Sequence, residues 1–235
     1  MHTRTLALAA ASGAALLATA ALPATASDAP RAAAAPARTG EGSVGAAELL
    51  AKVTSCSQIS SGKYRTDSGS AATVPVCGKN GAVFWKADLD IDCDGQTTTA
   101  CNRVTDPWFQ GDTAFHQSDG RPLNAEKLPY VVVPSSSSIW NYSAAGIRGG
   151  GVAAVIYNGR VEYAVVGDTG PSKIIGEASY ATAKALGMNP DPATGGARSG
   201  VTYILFKNSR AEPIESHGAA VSLGDELARR FVAEN

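Results

Sequence analysis

The sequence predicts a mainly β fold with peripheral helices. Three observations carry this. Short apolar runs outnumber helical patterns, an Asn-Gly pair separates two valine-rich runs, and 25 glycines and 12 prolines punctuate the chain. Short strands with frequent turns build small barrels or sandwiches.

The elements follow in order. Arg4 precedes an Ala/Leu-rich run, Leu6 to Leu22, and Ala24-Thr25-Ala26 is an A-x-A cleavage signal. Residues 1–26 therefore read as a secretory signal peptide, and the chain is expected to be secreted and extracellular. Ser12, Gly13 and Pro23 argue against a membrane anchor. Residues 27–43 are rich in Ala, Pro, Gly and Ser without apolar periodicity, and are expected to be disordered. Residues 44–235 then form one catalytic domain, with no repeat and no second linker.

Cleavage removes Arg4 and leaves nineteen Lys and Arg against twenty-one Asp and Glu. That balance excludes the basic stripe of a nucleic-acid binder. After cleavage nothing is left to hold a membrane. The four cysteines, Cys56, Cys77, Cys93 and Cys101, lie in the exported part and suggest two disulfides. Of three pairings, the sequence-local one is expected: Cys56 with Cys77, and Cys93 with Cys101. A zinc site is disfavoured, because there is no C-x-x-C.

Ala46 to Val53 reads as a short helix. In Asn80 to Ile91 the residues Val83, Trp85, Ala87, Leu89 and Ile91 alternate with other residues, predicting a strand. Tyr130 to Val133 is a strand closed by Pro134, and Ser135 to Ser138 a flexible connection. Val152 to Tyr157 and Val161 to Val166 form a hairpin across Asn158-Gly159. Ala178 to Leu186 reads as a helix capped by Gly187. Val201 to Lys207 is a strand. Asp225 to Ala233 is an amphipathic helix with Leu227, Phe231 and Val232 facing inward.

Asp88, Asp90, Asp92 and Asp94 alternate with Leu89, Ile91 and Cys93. On a continued strand all four carboxylates share one face, and their repulsion needs compensation. Calcium is one reading, since Asp90-x-Asp92-x-Asp94-Gly95 matches the opening of an EF-hand loop. The twelfth position, however, is Cys101 and not glutamate. A subsite for a polyamine-like substrate is the second, and a solvated acidic turn the third.

Asp168 ends an apolar run between Gly167 and Gly170, glycines that would let a ligand approach. Thr169 can orient it. Glu177, at the expected first turn of a helix, is held charged by the helix dipole and suits a general base. Asp168, partly desolvated, suits a general acid. Paired carboxylates of this kind hydrolyse glycosidic bonds. The bland alternatives are a turn aspartate and a dipole-complementing glutamate. No G-x-S-x-G elbow or phosphate loop is present. Trp108 and Trp140 are the tryptophans expected to stack on sugar, with Trp85 left to the core.

The segments Phe84 to Gly95, Gly167 to Pro171 and Ile175 to Ser179 resemble those of the chitosanases of glycoside hydrolase family seventy-five. The resemblance runs from about Ala51 to the C-terminus. It implies an endo-acting, inverting hydrolase of the β-1,4 bonds between glucosamine units of chitosan. It places the essential pair on Asp168 and Glu177. The Asp-Thr-Gly turn also resembles that of double-psi barrels, implying a double-psi-like six-stranded β-barrel and Asp168 as acid. Asp88, Asp90 and Asp92 then become partners for substrate ammonium groups. No cofactor or metal is implied, and a monomer is expected. The competing functions are a non-catalytic, expansin-like polysaccharide binder and a peptidoglycan-cleaving enzyme.

Overall fold

The computed structural model describes residues 40–235. The expected signal peptide, and residues 27–39 of the expected disordered stretch, lie outside the described residues. The elements are α1 (Ala46–Lys52), β1 (Ser57–Gln58), β2 (Cys77–Lys79), β3 (Ala82–Asp92), β4 (Tyr130–Pro134), β5 (Val152–Tyr157), β6 (Arg160–Gly170), β7 (Glu177–Ser179), α2 (Tyr180–Ala185), β8 (Ala197–Phe206) and α3 (His217–Glu234).

Strands β3, β7, β4, β6, β5 and β8 pair in that order, and β8 returns to β3. Six strands therefore close a barrel, which leaves no open edge among them. The β3–β7 and β4–β6 pairs are parallel, and the others are antiparallel. β3 is long enough to carry β2 on its first residues and β7 on its last.

The alternation in β3 holds. Val83, Trp85, Ala87 and Leu89 join residues from the other five strands in one cluster that fills the barrel. Trp85 stacks on Tyr203 at 5.4 Å, and Trp140 meets its edge at 6.2 Å. The intervening residues face outward. Phe84, Ile204 and Phe206 form a second cluster with Ala228 and Phe231 of α3.

Several expectations need correction. The final helix starts at His217, capped by Ser216, whose Oγ accepts from Ala219 N at 3.2 Å. Its fully buried face is Ala220, Gly224, Ala228 and Phe231, with Leu227 and Val232 only flanking it. Small residues let it lie close: a Cβ on Gly224 would sit 2.4 Å from the Tyr163 ring. The helix expected from Ala178 begins at Tyr180, because Glu177 to Ser179 pair with β3 and β4. The Ser135–Ser138 connection is tied down: Ser135 N and Oγ both donate to Gly170 O, at 3.0 and 2.7 Å, and Ser137 N donates to Trp140 O.

Other features match. Asn158 (φ 45°) and Gly159 (φ 78°) turn the β5–β6 hairpin, both left-handed as a type I′ turn requires. Gly187 closes α2, with its N–H on Lys184 O and that of Met188 on Ala183 O. The disulfides are Cys56–Cys77 and Cys93–Cys101. One expectation differs: residues 40–43 of the stretch expected to be disordered are held, with Glu41 N donating to Val161 O and Ser43 Oγ to Asp225 at 2.7 Å.

Candidate active site

The site is built on the outer face of the barrel by a bulge. Val131 pairs with Val166, but Val132 pairs with Asp168, so Gly167 is an extra residue in β6. A bulge re-aims the side chain that follows it. Without it Asp168 would point into the barrel. With it Asp168 shares the face of Val132, which belongs to the outer cluster. A Cβ on Gly167 would come within 2.6 Å of Tyr130 Cβ and 2.7 Å of Leu123 Cδ1. The glycine therefore serves packing, and the expectation that it leaves space for a ligand is wrong.

Glu177 pairs with Val132 from the other side. On its far side it pairs in parallel with Asp90 of β3. Asp90, Glu177, Val132 and Asp168 thus form one row across four strands. Glu177 Oε2 extends back across this row, since a Cβ on Gly170 would lie 3.1 Å from it. Gly170 thus makes room for Glu177 itself. Asp92 follows Asp90 on the same face and is buried.

A cleft of about 320 Å³ opens over the Asp90–Glu177 end of this row, lined by Asp90, Asp92, Asp94, Asp106, Trp108 and Glu177 among others. Asp168 is not on its wall. It is 7% exposed, and its Oδ1 accepts from Ala114 N at 2.8 Å and Thr169 N at 2.7 Å. Both of these hydrogen bonds fall on Oδ1 and neither on Oδ2. Thr169 thus acts on Asp168 through its backbone.

The strand settles the acidic ladder's shape. β3 runs through Asp92, so no EF-hand loop forms there. Asp92 Oδ1 accepts from Asp94 N at 2.7 Å, and Asp94 Oδ1 from Gln110 N at 2.6 Å. The Cys93–Cys101 disulfide anchors the loop that follows, which returns Asp106 and Trp108 to the cleft. Trp108 is 85% exposed and suits a sugar face. Trp140 is 6% exposed against Trp85, so the expectation that it binds substrate is corrected: it is core. Asp88 is buried beside Gly176, away from this cleft and in a neighbouring one.

Burial dominates the electrostatics. It pushes Glu177 up to about 8, with Asp90, Asp94 and Asp168 adding repulsion. It raises Asp92 well above the carboxylate range, assisted by Glu177, Asp94 and Asp168. Asp94 is pushed up to about 6 by burial, against the Gln110 N–H. Asp168 is raised by burial, and the N–H groups of Ala114 and Thr169 oppose that rise. Among the described residues, no Lys or Arg forms an ion pair with any of them. The expected helix dipole at Glu177 is absent, because Glu177 is in a strand.

Sequence reasoning missed Asp106 and Asp67. Asp106 is buried and its Oδ1 accepts from Trp108 N at 2.9 Å. Asp67 meets Asp88 and Asp90. Both come from loops, and no period in the sequence points them at β3.

Two carboxyls, one readily protonated and one hydrogen-bonded as an anion, can work on opposite sides of one bond. With a tryptophan face at the rim, the class is a glycoside hydrolase. The family described as fungal chitosanase of glycosyl hydrolase group 75 matches residues 89–231. An endo-chitosanase of Aspergillus fumigatus is 32% identical over 192 residues, covering 75% of this chain and 79% of that protein. Endo-chitosanase B of Aspergillus oryzae is 34% identical over 137 residues, 55% of this chain and 57% of that one. Endo-chitosanase C of Aspergillus oryzae is 32% identical over 136 residues, 56% of this chain but 33% of the longer relative. The chain belongs to the glycosyl hydrolase group 75 family.

Proposed function

We propose that this chain is a secreted endo-chitosanase that cleaves β-1,4 bonds between glucosamine units with inversion. The observation that carries the reading is the shared register of Asp168 and Glu177 on Val132. Two inter-strand steps separate their backbones, roughly 9–10 Å. Glu177 Oε2 reaches back toward β6 beside Gly170, so the carboxyls lie closer than the backbones, toward the roughly 6.5–9.5 Å that leaves room for the water of an inverting displacement.

The roles are the reverse of the sequence expectation. Glu177, pushed up to about 8, holds a proton at neutral pH and donates it to the leaving glycosidic oxygen. Asp168, with two N–H bonds on Oδ1, stays ionised and uses Oδ2 to take a proton from the attacking water. The carboxylates of Asp90, Asp94 and Asp168 help keep the proton on Glu177 by repulsion.

The substrate class follows from charge. Chitosan is a polycation when its amines are protonated, and Asp90, Asp92, Asp94 and Asp106 line the cleft with no ion pair to a Lys or Arg among the described residues. The two disulfides support an exported protein. Among the described residues no helix is long and apolar enough to cross a membrane.

A reducing-end assay on chitosans of graded acetylation tests this. Activity should fall as acetylation rises. An expansin-like binder releases no ends, and a peptidoglycan-cleaving enzyme prefers the acetylated polymer. Either result would remove the reading.

A further inference from the structure

Beside the catalytic cleft lies a second hollow of about 330 Å³, and the two share Asp90 and Gly195 on their walls. Its floor carries Asp67, Asp88 and Asp90. Each offers a carboxylate oxygen, and these oxygens lie within 4.8 Å of one another. Asp88 is 5% exposed, and its buried Oδ1 has no hydrogen-bond partner. An unpaired buried carboxylate oxygen is costly, so the pocket is incomplete as it stands. The turn before β7 is shaped around it: Gly176 (φ 112°) has no Cβ, and one there would lie 2.0 Å from Asp88 Oδ1. Arg198 stands on the wall, yet among the described residues it pairs with none of the three.

Resting on the functional reading above, we infer that Asp67, Asp88 and Asp90 form a distal subsite that takes one protonated amine of the substrate. A sugar there must be glucosamine and not N-acetylglucosamine. A primary ammonium has three N–H donors and no acceptor. Bonds of about 2.8 Å in tetrahedral directions place its three acceptors about 4.6 Å apart, inside the 4.8 Å that bounds the separations of the three carboxylate oxygens. An acetamide offers one N–H, carries no charge and is larger. It would leave two carboxylates unpaired. Asp67 and Asp88 both precede residues 89–231, which the family model matches.

The test uses the full enzyme on partially acetylated chitosan, with the products sequenced from the cleaved ends. Wild-type products should carry glucosamine alone at one fixed position removed from the cleaved bond. Asp67 is exposed, so Asp67→Asn leaves packing untouched. It should admit N-acetylglucosamine at that position and raise KM on fully deacetylated chitosan about five- to tenfold. Asp119→Asn, an exposed carboxylate paired with Arg121, is the control and should match wild type. An active wild type whose product ends are unchanged by Asp67→Asn would overturn the subsite and leave the functional reading standing. A wild type inert on every chitosan sinks both. Millimolar calcium chloride that raises Tm in wild type but not in Asp67→Asn would assign the tripod to a divalent cation, against the proposal.

Discussion

Asp168 and Glu177 pair with the same residue, Val132, from its two sides. One strand therefore sets the distance between them. The bulge at Gly167 sets the face, because without it the two carboxyls would lie on opposite sides of the barrel wall.

This arrangement separates the two roles in mutants. Asp168→Asn and Glu177→Gln should each fold with a wild-type Tm or a higher one, and each lose about 10²–10⁴ in kcat on chitosan. A glucosamine oligomer with a good phenolate leaving group needs no acid, so it should restore Glu177→Gln but not Asp168→Asn. Azide should rescue Asp168→Asn alone. The opposite pattern would return the acid role to Asp168.

The pH profile follows from the same charges. On the proposed roles, activity needs Asp168 ionised and Glu177 protonated. The profile of kcat/KM should be a bell. Its acid limb lies above the ordinary aspartate range, because burial raises Asp168. Its alkaline limb lies near 8, where Glu177 titrates. Glu177→Asp, with a shorter and differently buried carboxyl, should move the alkaline limb and leave the acid one.

Stability should run against this acidity. Glu177, Asp92 and Asp94 all have folded pKa values above their unfolded ones. The folded state then binds more protons than the unfolded state between about pH 4 and pH 8, so stability is lost as pH rises through that window. Tm should be higher at pH 5 than at pH 8. Asp92→Asn keeps the acceptor for Asp94 N and removes the charge. It should raise Tm by about 2–4 °C at pH 8, a shift equal to roughly 1 kcal/mol in a domain of this size, and change little at pH 5. A fall at pH 8 would show that Asp92 is not repelled by its neighbours.

The two candidate tryptophans should behave oppositely. Trp108 is exposed over the cleft, so Trp108→Ala should raise KM about three- to tenfold at constant Tm, the worth of one stacking contact. Trp140 packs on Trp85, so Trp140→Ala should cost about 3–5 kcal/mol of stability. Thermal melts beside Michaelis curves separate the cases.

Much of this was legible in the sequence, and the rest was hidden for definite reasons. Val83, Trp85, Ala87 and Leu89 have the two-residue period of a strand, and Asn158-Gly159 is a turn whichever fold surrounds it. Glu177-Ala178-Ser179 reads as helix by composition, because tertiary pairing with β3 and β4 makes it a strand. That misplacement inverted the charge argument for Glu177. The bulge at Gly167 left no local mark. Trp140 resembles a binding residue until its contact with Trp85 is known. The same holds for Asp67, which reaches Asp90 only because the loop between β1 and β2 folds back over β3.

The most direct test of the central claim is proton NMR of a glucosamine oligomer during its first turnovers. Inversion by Asp168 and Glu177 predicts that the new reducing end appears first as the α-anomer and then mutarotates. The β-anomer appearing first would contradict the inverting displacement proposed for the pair and would require a covalent intermediate on one of them.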